Sequence, residues 1–249
     1  MSIIHEERTS DSPYVETVTR GWTLSSGSTI RPAEVNWHMV FVRDASRSRA
    51  HPLVVGAQTM SGVASWGEGA EILWIKFKLG TFMPHLPTRA FLNGEIFLPG
   101  ASSQSFWLKS SAWQIPDYDN ADTFANKLVR DGVLVSDPVV NGALQDRLPE
   151  TSLRTVRHRF LQATGLTQNH IRQFERAQRA EALLKQGVSI LDTVYQAGYF
   201  DQPHLTRALK HFIGYTPAQI VRMSKPDCQN IQDNLLLSDY HTNVLTNTG

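Results

Sequence analysis

Apolar positions follow two rhythms along this chain. Between Tyr14 and about residue 115 they form short runs broken by Gly, Pro, Ser and Asn, with alternation at period two. Val35–Arg43 and Leu53–Thr59 read as strands, and Glu71–Leu79 places Leu73, Ile75, Phe77 and Leu79 on one face. Pro84, Pro87, Gly94, Pro99 and Gly100 punctuate the segment after Leu79. From about Asn120 apolar residues recur three and four apart. That spacing predicts helices over Ala121–Asp131, Pro138–Arg147, Ser152–Ala163, Gln168–Gln186, Ile190–Ala197 and Gln202–Phe212, with a last turn over Pro217–Arg222. After Pro226 the chain is rich in Asn, Gln, Asp and Thr and reads as loose.

The pattern predicts an α+β chain. A β-rich domain of cupin-like or sandwich type is expected over residues 1–119, an all-α domain over 120–225, and a flexible acidic tail over 226–249.

Charge changes the picture once it is divided the same way. The net charge of +1 argues against a nucleic-acid partner when taken whole. Residues 1–119 hold 10 basic and 11 acidic side chains, residues 120–225 hold 14 and 9, and residues 226–249 hold none and 3. The excess gathers in Ser152–Arg179, where Arg154, Arg157, Arg159, Arg172, Arg176 and Arg179 face Glu175 alone. An average over the chain hides a basic domain.

Two stretches of that domain read as helix-turn-helix units. In Ser189–Phe212 a helix carrying Ile190, Leu191 and Val194 ends at Gly198, a residue free to adopt the left-handed conformation of a sharp turn. Asp201 then serves as N-cap, and Pro203 is tolerated in the first turn. Leu205, Ala208, Leu209 and Phe212 form a stripe for packing, while Pro203, Thr206, Arg207 and Lys210 lie on another face. In Pro138–Ala163, Val139, Val140, Ala143 and Leu144 stripe the first helix and Leu148–Thr151 supplies the turn. Ser152 caps a second helix with Leu153, Val156 and Phe160 expected inward and Arg154, Arg157, His158 and Leu161 outward. Gln168–Gln186, about 28 Å long as a helix, joins the units. Two reading helices held that way can stand about one turn of DNA apart, roughly 34 Å.

At these residues the chain resembles the AraC/XylS family of bacterial transcription regulators. The matching text runs from Ser152 through Phe160, Thr164-Gly165-Leu166-Thr167, Arg176, Ala180 and Leu184 to Gly198-Tyr199-Phe200-Asp201-Gln202-Pro203-His204-Leu205 and Gly214-Tyr215-Thr216-Pro217. It covers about 100 residues, with landmarks in order. Pro203 and Leu205 depart from the usual family text, and Phe200 stands where a Ser cap is frequent. The resemblance implies a sequence-specific, non-enzymatic regulator whose β-rich domain senses a small molecule or mediates dimerisation. Its implied partners are double-stranded DNA, a small-molecule effector, RNA polymerase and a second copy of the chain, in the bacterial cytoplasm at the nucleoid.

The residues expected at DNA are Arg154, Arg157, His158, Leu161, Pro203, His204, Thr206, Arg207 and Lys210. Arg157 and Arg207 suit base-edge readout, since an Arg fork pairs bidentately with guanine O6 and N7. Arg154, His158, Thr206 and Lys210 suit phosphates or neighbouring bases. The plainer reading of each is a solvated side chain on an amphipathic helix. For Arg176 a structural role, pairing with Glu175 or Asp192 or capping a helix end, stands ahead of DNA contact.

Other classes fall away. No run of about 18 apolar residues marks a membrane span, and Met1–Asp11 does not read as a secretory signal. A single cysteine, Cys228, fits a reducing compartment. No GxxxxGK[ST] or GxGxxG occurs, no catalytic residue is marked, and no cofactor or membrane partner is expected. Trp37, Trp66, Trp74, Trp107 and Trp113 read as core rather than a ligand cage, and His38, His51 and His85 are too isolated to suggest a metal. The competing reading is a β-rich small-molecule enzyme or carrier with a helical dimerisation domain. It calls for a cluster of acid/base or metal residues in 1–119, which the sequence does not show, and burial of Arg154, Arg157, Arg207 and Lys210 between helices would favour it.

Overall fold

The computed structural model describes residues 3–44, 50–145, 147 and 151–224. The tail expected over 226–249, Cys228 within it, and most of the turn expected at Leu148–Thr151 lie outside the described residues.

The first half is built from eleven strands: β1 (Ile3–Thr9), β2 (Val15–Thr23), β3 (Gly27–Arg31), β4 (His38–Asp44), β5 (Ala50–Val55), β6 (Gly62–Trp66), β7 (Ala70–Phe77), β8 (Thr81–Phe82), β9 (Glu95–Phe97), β10 (Ser105–Leu108) and β11 (Ser111–Gln114). Six of them form one antiparallel sheet in the order β1-β2-β7-β4-β5-β9. The ribbons β3–β6 and β10–β11 stand beside it.

β7 lies inside the sheet, and this explains its sequence. Leu73, Ile75 and Phe77 enter one core with Met39, Phe41 and Val54, as their period-two spacing predicts. The intervening Ile72 and Trp74 enter a second core with Val40, Val42, Leu53 and Trp66. A strand covered on both faces reads as a nearly continuous apolar run. Leu79 does not continue the first face, because the strand stops at Phe77; it packs instead against the first helical unit. Trp37, Trp66, Trp74 and Trp113 are buried and Trp107 is exposed. Trp37 stacks on Phe77 at 4.2 Å and donates its indole N–H to the Thr81 carbonyl at 2.6 Å.

The residues just after the division expected at 119/120 pack on the sheet. Helix α1 (Ala121–Arg130) buries Ala121, Phe124, Ala125 and Leu128 in the first sheet core, and Val133 and Leu134 follow them there. Strand β12 (Val135–Ser136) then pairs with β8. The sheet domain therefore runs through Ser136. Among the described residues no helix is long and apolar enough to cross a membrane.

Candidate nucleic-acid interface

Six helices follow: α2 (Pro138–Leu144), α3 (Leu153–Thr164), α4 (Gln168–Lys185), α5 (Ile190–Gln196), α6 (Gln202–Phe212) and α7 (Pro217–Met223). Each starts where an oxygen-bearing side chain accepts a backbone N–H of its first turn: Asp137 from Val139 and Val140, Ser152 from Thr155, Thr167 from His170, Ser189 from Asp192, Asp201 from His204, and Thr216 from Gln219. Such a cap contributes about 1 kcal/mol. Asp201 caps α6 as expected, and Phe200 stands one residue ahead of it.

Val140, Ala143, Val156, Phe160, Ala163, Leu166 and Ile171 form the core of the first unit, α2–α3. Val194, Ala197, Tyr199, Leu205, Leu209, Phe212 and Ile220 form that of the second, α5–α7, with Phe174, Ala177, Ala180 and Leu184 of α4. The connecting helix thus lends Ile171 to one core and its next residues to the other. Its 18 residues span about 27 Å.

Leu153, expected inside, is outside, and Leu191 is exposed as well. Leu153 is 68% exposed, because the buried stripe of α3 begins one turn later at Val156. Leu191 is 64% exposed: Ile190, Val194 and Ala197 fall on the inner face of α5, and Leu191 shares the next face with Tyr195.

On α3, Arg154, Arg157 and His158 are exposed and Leu161 is half-buried. On α6, Pro203, Arg207 and Lys210 are exposed, while His204 and Thr206 are half-buried. The His204 ring meets the Tyr199 ring edge-on at 5.1 Å, so this side chain leans toward the turn. The two remaining landmarks are structural. Arg159 reaches Asp137 at 2.9 Å, tying α3 to the cap of α2. The Arg176 guanidinium lies 4.5 Å from the centre of the Tyr199 ring and donates to the Gly198 carbonyl at 3.4 Å. Arg176 therefore braces the turn between α5 and α6, through partners other than the expected Glu175 and Asp192. Burial raises the Tyr199 pKa against the opposing pull of Arg176.

Sequence reasoning missed what lies behind α3 and α6. The last carbonyls of a helix have no partner within it, and here the sheet domain supplies donors. Thr88 Oγ1 donates to the Gln162 carbonyl of α3 at 2.9 Å. At α6, the Ala33 N–H donates to Phe212 at 2.6 Å, the Ser61 N–H to His211 at 2.7 Å and Ser61 Oγ to Lys210 at 3.0 Å. Both helices are held at their C-terminal ends by one domain, leaving their N-terminal halves presented.

Residues 150–223 match the family model described as a helix-turn-helix domain. This segment is an AraC-type helix-turn-helix domain. Domains of this type bind DNA in transcription regulators. Among curated proteins none matches the chain. Two solved structures of ToxT from Vibrio cholerae are similar to it at 10% and 11% identity, with TM-scores of 0.36 and 0.37. Each covers 90% of this chain, and the chain covers 99% and 100% of them; the second ToxT is bound to (E)-4-(8-methylnaphthalen-1-yl)but-3-enoic acid. In this chain the matched domain begins just ahead of α3 and ends at α7, so it takes in α3, α4 and α6 but leaves α2 outside.

Proposed function

We propose that the chain is a sequence-specific transcription regulator that reads DNA with α3 and α6. Arg157 and Arg207 contact base edges, and Arg154, His158, Leu161, Pro203, His204, Thr206 and Lys210 contact phosphates or neighbouring bases. The observation that carries this reading is the exposure of Arg154, Arg157, Arg207 and Lys210 on two helices whose opposite faces are buried. A helix seated on one side and rich in donors on the other is what major-groove reading requires. The same exposure disfavours the β-rich enzyme or carrier with a helical dimerisation bundle. The β-rich part expected over residues 1–119 acts in effector sensing or dimerisation, and RNA polymerase is the partner at the promoter in the bacterial cytoplasm.

Selection of binding sites from random DNA with the full chain tests this. A preferred sequence emerges, and affinity for it falls steeply with salt. Arg157→Ala and Arg207→Ala each cost about 1–3 kcal/mol and relax discrimination at one base pair. Equal affinity for all sequences, or unchanged discrimination in the double variant, overturns the reading.

A further inference from the structure

Both reading helices present a bare apolar side chain where they begin. Phe200 is 91% exposed, immediately before the cap of α6, and Leu153 is the first residue of α3. The surroundings of Phe200 fix its direction. Tyr199 is buried under Arg176, and the Asp201 carboxylate is taken by the His204 N–H at 2.7 Å, so the Phe200 ring is left pointing away from the domain. Leu153 lies four residues before Arg157, on the same helix face.

A single exposed apolar residue is ordinary on a protein surface. The same feature at the leading end of two units joined by α4 calls for one partner that meets both. The leading end of a reading helix is the part that meets base edges. On those edges the sole apolar group is the C5-methyl of thymine, which Phe and other apolar side chains contact.

We propose that Leu153 and Phe200 are specificity-determining residues that pack on thymine methyl groups beside the bases read by Arg157 and Arg207. This rests on the reading that α3 and α6 enter the major groove. It adds a methyl-reading element beside the two arginines proposed at base edges.

The test uses the full chain and its selected DNA site, with thymines replaced one at a time by deoxyuridine, which lacks only the methyl. Loss of one buried methyl corresponds to about a three- to tenfold weakening. Wild-type protein is expected to show that loss at one thymine in each half of the site. Phe200→Ala binds the natural site correspondingly less well, becomes indifferent to deoxyuridine at its own thymine and keeps its sensitivity at the other. Leu153→Ala gives the reciprocal pattern, and Phe200→Leu restores part of the sensitivity. Both positions are exposed, so unchanged melting temperatures accompany these effects. Wild-type indifference to every deoxyuridine, or an alanine variant with the wild-type pattern, overturns the proposal. Failure to select any preferred sequence overturns the underlying DNA reading instead.

Discussion

The amide of Ser61, in the sheet domain, donates to the carbonyl of His211 in the last turn of α6 at 2.7 Å. With Ala33 and the Ser61 hydroxyl it supplies three donors to one helix end, and Thr88 supplies a fourth to α3. An intramolecular hydrogen bond contributes about 0.5–1.5 kcal/mol net, so the joint is worth a few kcal/mol. Ser61→Pro, which removes both Ser61 donors, is expected to lower stability by about 1–3 kcal/mol, against about 1 kcal/mol or less for Ser61→Ala. Thermal melts of the two variants check the order. Equal losses would show that the amide bond contributes nothing.

Gly214 makes the same joint intolerant of a side chain. Its φ is +90°, and a Cβ there would overlap Ile30 Cγ2 of the sheet domain. Gly214→Ala should cost about 2–4 kcal/mol, part from the left-handed backbone and part from the overlap. Adding Ile30→Ala recovers only the overlap part. Denaturant midpoints of both singles and the double separate the two contributions.

Arg176 provides a contrast with the arginines proposed to read bases. Arg176→Ala removes a cation from the Tyr199 face and a donor from Gly198, with an expected loss of about 1 kcal/mol of stability. DNA affinity weakens through the turn, yet the slope of affinity against salt stays at the wild-type value. Loss of a residue touching phosphate lowers that slope by about one. A lowered slope for Arg176→Ala would mean direct contact with phosphate.

His38 makes the fold sensitive to acid. Complete burial, then Lys76 and Arg31, hold its pKa well below the ordinary 6.5. Burial lowers His170 as well, assisted by His211. The folded state therefore keeps these imidazoles neutral while the unfolded chain protonates them, so stability is present above about pH 6.5 and is lost as pH falls below it. One such group gives a slope of up to about 1.4 kcal/mol per pH unit. Urea midpoints between pH 7.5 and 5 should fall, and His38→Gln should flatten that fall. An unchanged slope in the variant assigns the acid sensitivity elsewhere.

A fragment of residues 137–224 should be much less stable than the full chain. It leaves behind Ala33 and Val35, which pack on the second helical core, and Ala57, Leu79, Phe82 and Leu92, which pack on the first. Large apolar side chains contribute about 1.5–3 kcal/mol each when buried. Calorimetry of the fragment should give a broad, low transition; a full-chain melting temperature would show the two parts to be independent.

These dependences mark where sequence reading stops. Periodicity places α3 to α7 to within a residue or two because every one of them begins at a Ser, Thr or Asp cap and carries its own stripe. It misplaces Leu153 because a stripe describes the angle around a helix, and burial also depends on where along its axis the neighbour begins. α1 reads as part of the helical domain from its spacing alone. Its partner is the sheet, whose Phe41 meets Phe124 edge-on at 6.0 Å, a pairing 83 positions apart with no local sign. The exposed cations of the candidate site were legible for the same reason that the joint was not: one concerns a single helix face, the other the meeting of distant loops.

The joint between the domains has a further property. All four of its acceptors are main-chain carbonyls, and two of its four donors are main-chain amides. Peptide groups are common to nearly every residue, so Ala33, Lys210, His211, Phe212 and Gln162 can change identity without deleting a bond. The contact that holds α3 and α6 can therefore outlast drift in the residues that form it, and related chains can share this geometry while their sequences at the joint look unrelated.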